Sequence, residues 1–164
     1  MSPLWTIVGL VALERLAEMA HAARNTRRLL AAGAVESGRG HYPLIVALHA
    51  SWLAALLVLV PADREPIWPL IALFAALQGL RLWVILSLGP RWTTRIITLK
   101  GATPVRRGPY RYLKHPNYLV VAAEVGLLPL AFQAWGVALV FSLLNAAVLA
   151  QRIRVENRAL ADAA

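Results

Sequence analysis

The sequence predicts an all-α fold: a polytopic membrane helical bundle of about five transmembrane helices, the last two forming a hairpin. Three observations predict it. Hydrophobic residues make up 59% of the 164 and the mean hydropathy is +0.60, whereas a soluble domain is about 45–50% apolar. The excess is gathered into long runs, which is the signature of membrane-spanning helices. The basic residues cluster in alternate connections between those runs, as they do when charge fixes membrane topology.

The first apolar run covers 3–20. Its amino end lacks the Lys or Arg of a signal peptide and no small-residue cleavage site follows it, so a retained span is expected. Runs at 42–60 and 67–88 are long enough to cross ~30 Å of hydrocarbon as helices. The stretch from Leu119 to Leu149 holds a single charge, Glu124. One helix of that length would overshoot the bilayer at ~1.5 Å per residue. Pro129 and Gln133 near its middle divide it into helices at 118–131 and 135–151 joined by a tight turn, the first of them short for a full crossing. The length leaves no room for a second domain, so 1–164 reads as one unit.

Arg24, Arg27, Arg28 and Arg39 lie in a 21–41 loop. Arg91, Arg95, Lys100, Arg106, Arg107, Arg111 and Lys114 lie in an 89–117 loop, and Arg152, Arg154 and Arg158 in the tail. The opposite side offers Arg64 alone, between Asp63 and Glu65. The positive-inside rule then places the N-terminus out and the C-terminus in. The net charge of +9 therefore reads as topology and not as a nucleic-acid footprint. Cysteine is absent, which excludes disulfides and thiolate metal sites. Fifteen Arg against two Lys, with abundant Ala, is the usage of a GC-rich prokaryotic genome, so a bacterial inner membrane is expected.

Ionisable groups inside a bilayer cost several kcal/mol and are functional candidates by default, at about 2.5–3.5 kcal/mol each on insertion scales. Here they are Glu14, Arg15 and Glu18 in the first span, Arg81 in the third and Glu124 in the fourth. Arg81 is ~12 Å from Gly89, and Glu124 ~9 Å from Tyr118, along a helix. A cluster near one interface suits a pocket open to the cytosol on one side and to lipid on the other. The structural alternative is that these groups pair with one another, as Arg81 with Glu124, and glue helices together. Asn145, Arg152 and Glu156 share one face of the last helix and form a candidate pocket wall running from the bilayer into the cytosol.

The densest chemistry is GPYRYLKHPNY, Gly108 to Tyr118. Pro109 and Pro116 stiffen and turn the segment, and Pro116 suits the first turn of the following helix, whose free N–H groups attract a carboxylate. His115, Asn117 and the Tyr hydroxyls can hydrogen-bond a polar ligand while the rings cover an adenine. A basic, aromatic membrane-surface loop would share this composition.

GPYRYLKHPNY, followed after a helical hairpin by RIRVENRAL, resembles the isoprenylcysteine carboxyl methyltransferase and phospholipid methyltransferase superfamily. The resemblance is specific over 89–160, including Leu88 to Ile96. It extends more weakly to Arg24-Asn25, Glu36 to Gly38 and His41 to Pro43. It is greatest with short bacterial members associated with polyketide pathways, which methylate alkylresorcinol or alkylpyrone hydroxyls.

The resemblance implies a five-helix bundle that binds S-adenosylmethionine, with S-adenosylhomocysteine as product, in a region spanning about 89–160. It implies a cofactor pocket lined by Tyr110, Arg111, Lys114, His115, Pro116, Asn117 and Tyr118 and closed by Arg152 and Glu156. Two positions depart from the family pattern. Asn157 replaces the second Glu of the C-terminal motif, and Val120 stands where a Gly often follows the His-Pro-x-Tyr element.

The expected acceptor is a lipophilic small molecule drawn from the bilayer, its nucleophile presented near Glu124, Arg81 and Asn145. A carboxylate acceptor needs only an Arg to orient it, whereas a phenol or enol, with a pKa of about 10 or below, gains from a base. Glu124 is the candidate base. No metal is expected: His21, His41, His49 and His115 show no ligand spacing. The soluble-type glycine-rich cofactor loop is also absent. The competing readings are carboxyl methylation of an isoprenylated group, amine methylation of a phospholipid, and, in another class, a non-enzymatic lipid-binding subunit or small transporter.

Overall fold

A computed structural model of the chain describes residues 2–163, the side chain of His41 excepted. Five helices dominate it: α1 (Pro3–Ala31), α2 (Tyr42–Leu59), α3 (Trp68–Leu88), α4 (Pro116–Ala131) and α5 (Trp135–Ala163). On length and composition α2, α3 and α5 are able to cross a membrane, while α4 is a shorter apolar helix. At 16 residues α4 spans about 24 Å.

Helix α1 runs well past the apolar stretch at 3–20, so Arg24, Arg27 and Arg28 ride on a helix and not in the expected loop. Good helix formers (Ala, Arg, Leu) fill 20–31, and nothing there breaks the helix. Gly33 ends it in the left-handed region, φ 87°. The Gly33 and Ala34 amides return to the Leu30 and Leu29 carbonyls, both at 3.0 Å, a Schellman closure.

The division of the last apolar stretch falls where Pro129 and Gln133 place it. Pro129 lies in the final turn of α4, and Gln133 makes the turn at φ 58°. The turn is held to the start of α3 by the Ile67 amide donating to the Ala131 carbonyl at 2.8 Å.

One feature departs from a purely helical reading. Val35–Ser37 (β1) and Ile96–Thr98 (β2) form an antiparallel pair with Glu36 opposite Ile97. Three-residue strands are too short to show an alternating pattern in sequence. The pair ties the end of α1 to the segment leaving α3, helped by ion pairs from Arg95 and Arg39 to Glu36, both at 3.2 Å.

Helix α4 packs between α3 and α5, α5 packs on α2, and α2 on α1. The bundle is layered along its axis. At one end Leu4, Val8, Leu56, Phe74, Leu128 and Phe132 form a closed apolar core. Trp5, Trp68 and Trp135 lie exposed at that same end, where indole rings suit a membrane interface. The polar side chains gather in the middle and at the opposite end.

Candidate active site

The 89–118 segment is fixed to the end of α3 by two glycines and one arginine. Gly89 leaves α3 at φ 54° and Gly108 sits at φ 57°. A Cβ on Gly108 would lie 2.0 Å from the Ser87 Oγ, so only glycine lets this turn seat there. Arg107 Nε donates to the Ser87 carbonyl at 2.7 Å. From α1, the buried Asn25 side chain donates to the carbonyls of Trp92 (2.9 Å) and Gly89 (3.2 Å). The chain then makes a short 3-10 turn at Gly108–Arg111 and begins α4 with Pro116 in its first turn.

Thus placed, the start of α4 faces the last turns of α5. The Tyr118 hydroxyl donates to the Glu156 carboxylate and accepts from Arg152 Nε at 2.8 Å. Arg152 Nη2 donates to the Thr94 carbonyl at 2.7 Å. His115 stacks on the Tyr118 ring with centroids 5.3 Å apart. Its Nε2 is 3.2 Å from Asn157 Oδ1 and its Nδ1 is 3.8 Å from Glu156. Burial and the Glu156 carboxylate both push the Tyr110 phenol above its ordinary range, so it is a neutral hydroxyl at physiological pH.

These groups line a cavity of about 820 Å³, within the range of small-molecule sites. Its walls include Tyr110, Arg111, Lys114, His115, Asn117, Tyr118, Arg152 and Glu156, with Leu29, Trp92, Ile96 and Leu160 as apolar surface. Pro116 is buried at the helix start and is not among the lining residues. Asn117 Oδ1 is buried with no hydrogen-bond partner among the described residues. A buried acceptor without a donor is costly and therefore unusual, and here it lies on a residue lining the cavity.

Glu124, Arg81 and Asn145 are all buried, and none of them lines that cavity. Arg81 Nη1 donates to Glu124 at 2.9 Å, and its other nitrogens donate to Glu18, the Nη2 bond at 2.7 Å. Arg15 donates to Glu18 at 2.9 Å, to Gln78 at 3.1 Å and to Glu124 at 3.3 Å. The cluster joins α1, α3 and α4. Glu124, which has no neutralising neighbour in sequence, thus has two in space.

Asn157 and the Thr94 carbonyl carry no positive signal in the sequence. Asn157 stood out only as a departure from a pattern, and a backbone carbonyl carries no residue signature. Asn25 and Gln78 are ordinary polar residues until the fold shows what they bond.

Residues 70–162 match the Isoprenylcysteine carboxyl methyltransferase (ICMT) family, a span that contains the whole of the 89–118 segment and the end of α5. The chain is 38% identical over 162 residues to the uncharacterized protein YpbQ of Bacillus subtilis, covering 96% of each. It is 28% identical over 146 residues to an uncharacterized protein of Haemophilus influenzae, covering 84% of this chain and 83% of that one. No solved structure matches the chain. The family match across the helices that build the cavity makes this protein a member of the isoprenylcysteine carboxyl methyltransferase family of membrane methyltransferases.

Proposed function

We propose that the protein transfers a methyl group from S-adenosylmethionine to the oxygen of a lipophilic acceptor, a phenol-, pyrone- or carboxylate-bearing lipid. The observation that carries this reading is the cavity between the start of α4 and the end of α5, whose donors and acceptors suit each part of that cofactor. Glu156 offers a carboxylate to a cationic or hydroxyl-bearing portion. Arg111 and Lys114 offer positive charge to a carboxylate. Tyr110 offers an aromatic face, and Asn117 lines the same cavity.

When bound, the cofactor would supply a methyl already activated on a sulfonium: an ionised acceptor oxygen, a carboxylate or a phenolate or enolate that has released its proton to solvent, would form the new C–O bond as the C–S bond breaks, leaving a neutral thioether. The protein's own work is then to position and desolvate. Arg152, fixed between Tyr118 and the Thr94 carbonyl, holds Tyr118 in place. The Tyr118 hydroxyl in turn orients Glu156. Leu29, Trp92, Ile96 and Leu160 supply apolar wall against which a hydrocarbon chain can lie. For Glu124 and Arg81 the observations favour a structural role, and the buried Asn145 lies outside the cavity. Both Glu124 oxygens are engaged by guanidinium groups, and the residue lies outside the cavity.

The test is calorimetric binding of S-adenosylhomocysteine to the detergent-purified protein, beside Glu156→Ala and His115→Ala. Binding in the wild type, weakened at least about tenfold in each variant, corresponds to loss of one charge-assisted hydrogen bond or more. Absence of binding to folded wild-type protein in detergent and in lipid nanodiscs would overturn the methyl-transfer reading.

A further inference from the structure

Beside the large cavity lies a second, open one of about 500 Å³ at the point where the chain leaves α3. Leu88 and Pro90 form its apolar edge, and Arg91, Arg106 and Arg107 contribute its charge. Two of the three guanidinium groups are held by backbone: Arg91 Nη1 donates to the Thr103 carbonyl at 2.6 Å and Arg107 Nε to the Ser87 carbonyl at 2.7 Å. A backbone-held guanidinium keeps its remaining N–H groups free and aimed, which is the geometry that binds a phosphate oxygen pair. None of the cavity's lining residues is acidic, and among the described residues none of these three arginines pairs with a carboxylate within 4.0 Å.

We infer that this second cavity binds the phosphate of an anionic membrane phospholipid. Depth in the membrane selects lipid over a soluble phosphate. Trp83 and Leu86, in the last two turns of α3, are half or more exposed on a helix apolar enough to span, so acyl chains surround the helix immediately below the arginines. Arginine clusters directly after an apolar helix sit at headgroup level. The site also touches the larger cavity, because Leu88, Arg91, Thr103, Pro104, Val105 and Arg106 line both. A lipid held there steadies the wall that the two cavities share. The inference does not rest on methyl transfer and is tested without it.

Full-length protein in detergent is titrated with phosphatidylglycerol and, separately, with phosphatidylcholine of the same acyl chains, and bound lipid is counted by native mass spectrometry. The wild type is expected to bind phosphatidylglycerol about tenfold more tightly than phosphatidylcholine, the scale of one charge-assisted contact. Arg106→Gln, at an exposed position, should reduce that preference severalfold, and the triple change of Arg91, Arg106 and Arg107 to Gln should abolish it. The pair Arg27→Gln and Arg28→Gln, exposed on α1, removes charge elsewhere and should leave it intact. Equal affinity for the two lipids, or equal loss in the α1 pair, overturns the site. Displacement of the lipid by an equal concentration of glycerol 3-phosphate overturns the lipid assignment and gives the cavity to a soluble phosphate ester.

Discussion

The bundle holds two polar networks of similar size that are built for different ends. Arg15, Glu18, Arg81 and Glu124 form a quartet in which each charge meets its opposite. His115, Tyr118, Arg152, Glu156 and Asn157 are also bonded to one another, but four of the five line an 820 Å³ cavity. The first network is closed on itself. The second keeps faces turned to open space. Burial of charge alone therefore does not mark chemistry in this bundle. What separates the two is unspent bonding capacity beside a space large enough for a ligand.

Three substitutions would break or sharpen that contrast. The largest effect belongs to Arg81→Met, which leaves two buried carboxylates with Arg15 as their one remaining cation in the quartet. It should cost about 3–5 kcal/mol of stability, read as a lower unfolding temperature in detergent, with S-adenosylhomocysteine affinity largely retained at temperatures where the variant is folded. Selective loss of ligand binding by a normally stable variant would erase the distinction. Next is Arg152→Lys. An ammonium cannot span Tyr118 and the Thr94 carbonyl with the same fork, so ligand affinity should fall about tenfold while the unfolding temperature changes little. The smallest effect on ligand binding and turnover belongs to Glu124→Gln, which keeps shape and loses charge. It should cost about 1–3 kcal/mol and leave the methyl-transfer rate per folded molecule unchanged. A drop in turnover of about a hundredfold or more, the range of a lost general base, at unchanged ligand affinity would instead make Glu124 the base.

The sequence exposed the parts that depend on local pattern. Apolar run length located the helices, Pro129 and Gln133 located the α4–α5 turn, and Pro116 located the start of α4. The cavity-facing residues of GPYRYLKHPNY and the Arg152–Glu156 pair were legible because they sit in a short motif and at helical spacing. The pairing of Arg15 with Glu124 was not, since 109 residues separate them and nothing local reports the partner. The β1–β2 ladder was hidden by its brevity. The 20–31 extension of α1 was hidden because its arginines suggested a loop, although their helix propensity is high.

The ion-pair quartet has a consequence for how the protein is made. Its members come from distant parts of the chain: Arg81 follows Glu18 by 63 residues and Glu124 follows Arg15 by 109. A lone α1 would carry Glu14, Arg15 and Glu18 into hydrocarbon with one positive charge against two negative, at a substantial insertion cost. Helix α1 therefore depends on helices later in the chain for the charges that complete it, and a chain cut short before Glu124 leaves Arg15 and Arg81 without one of their carboxylates.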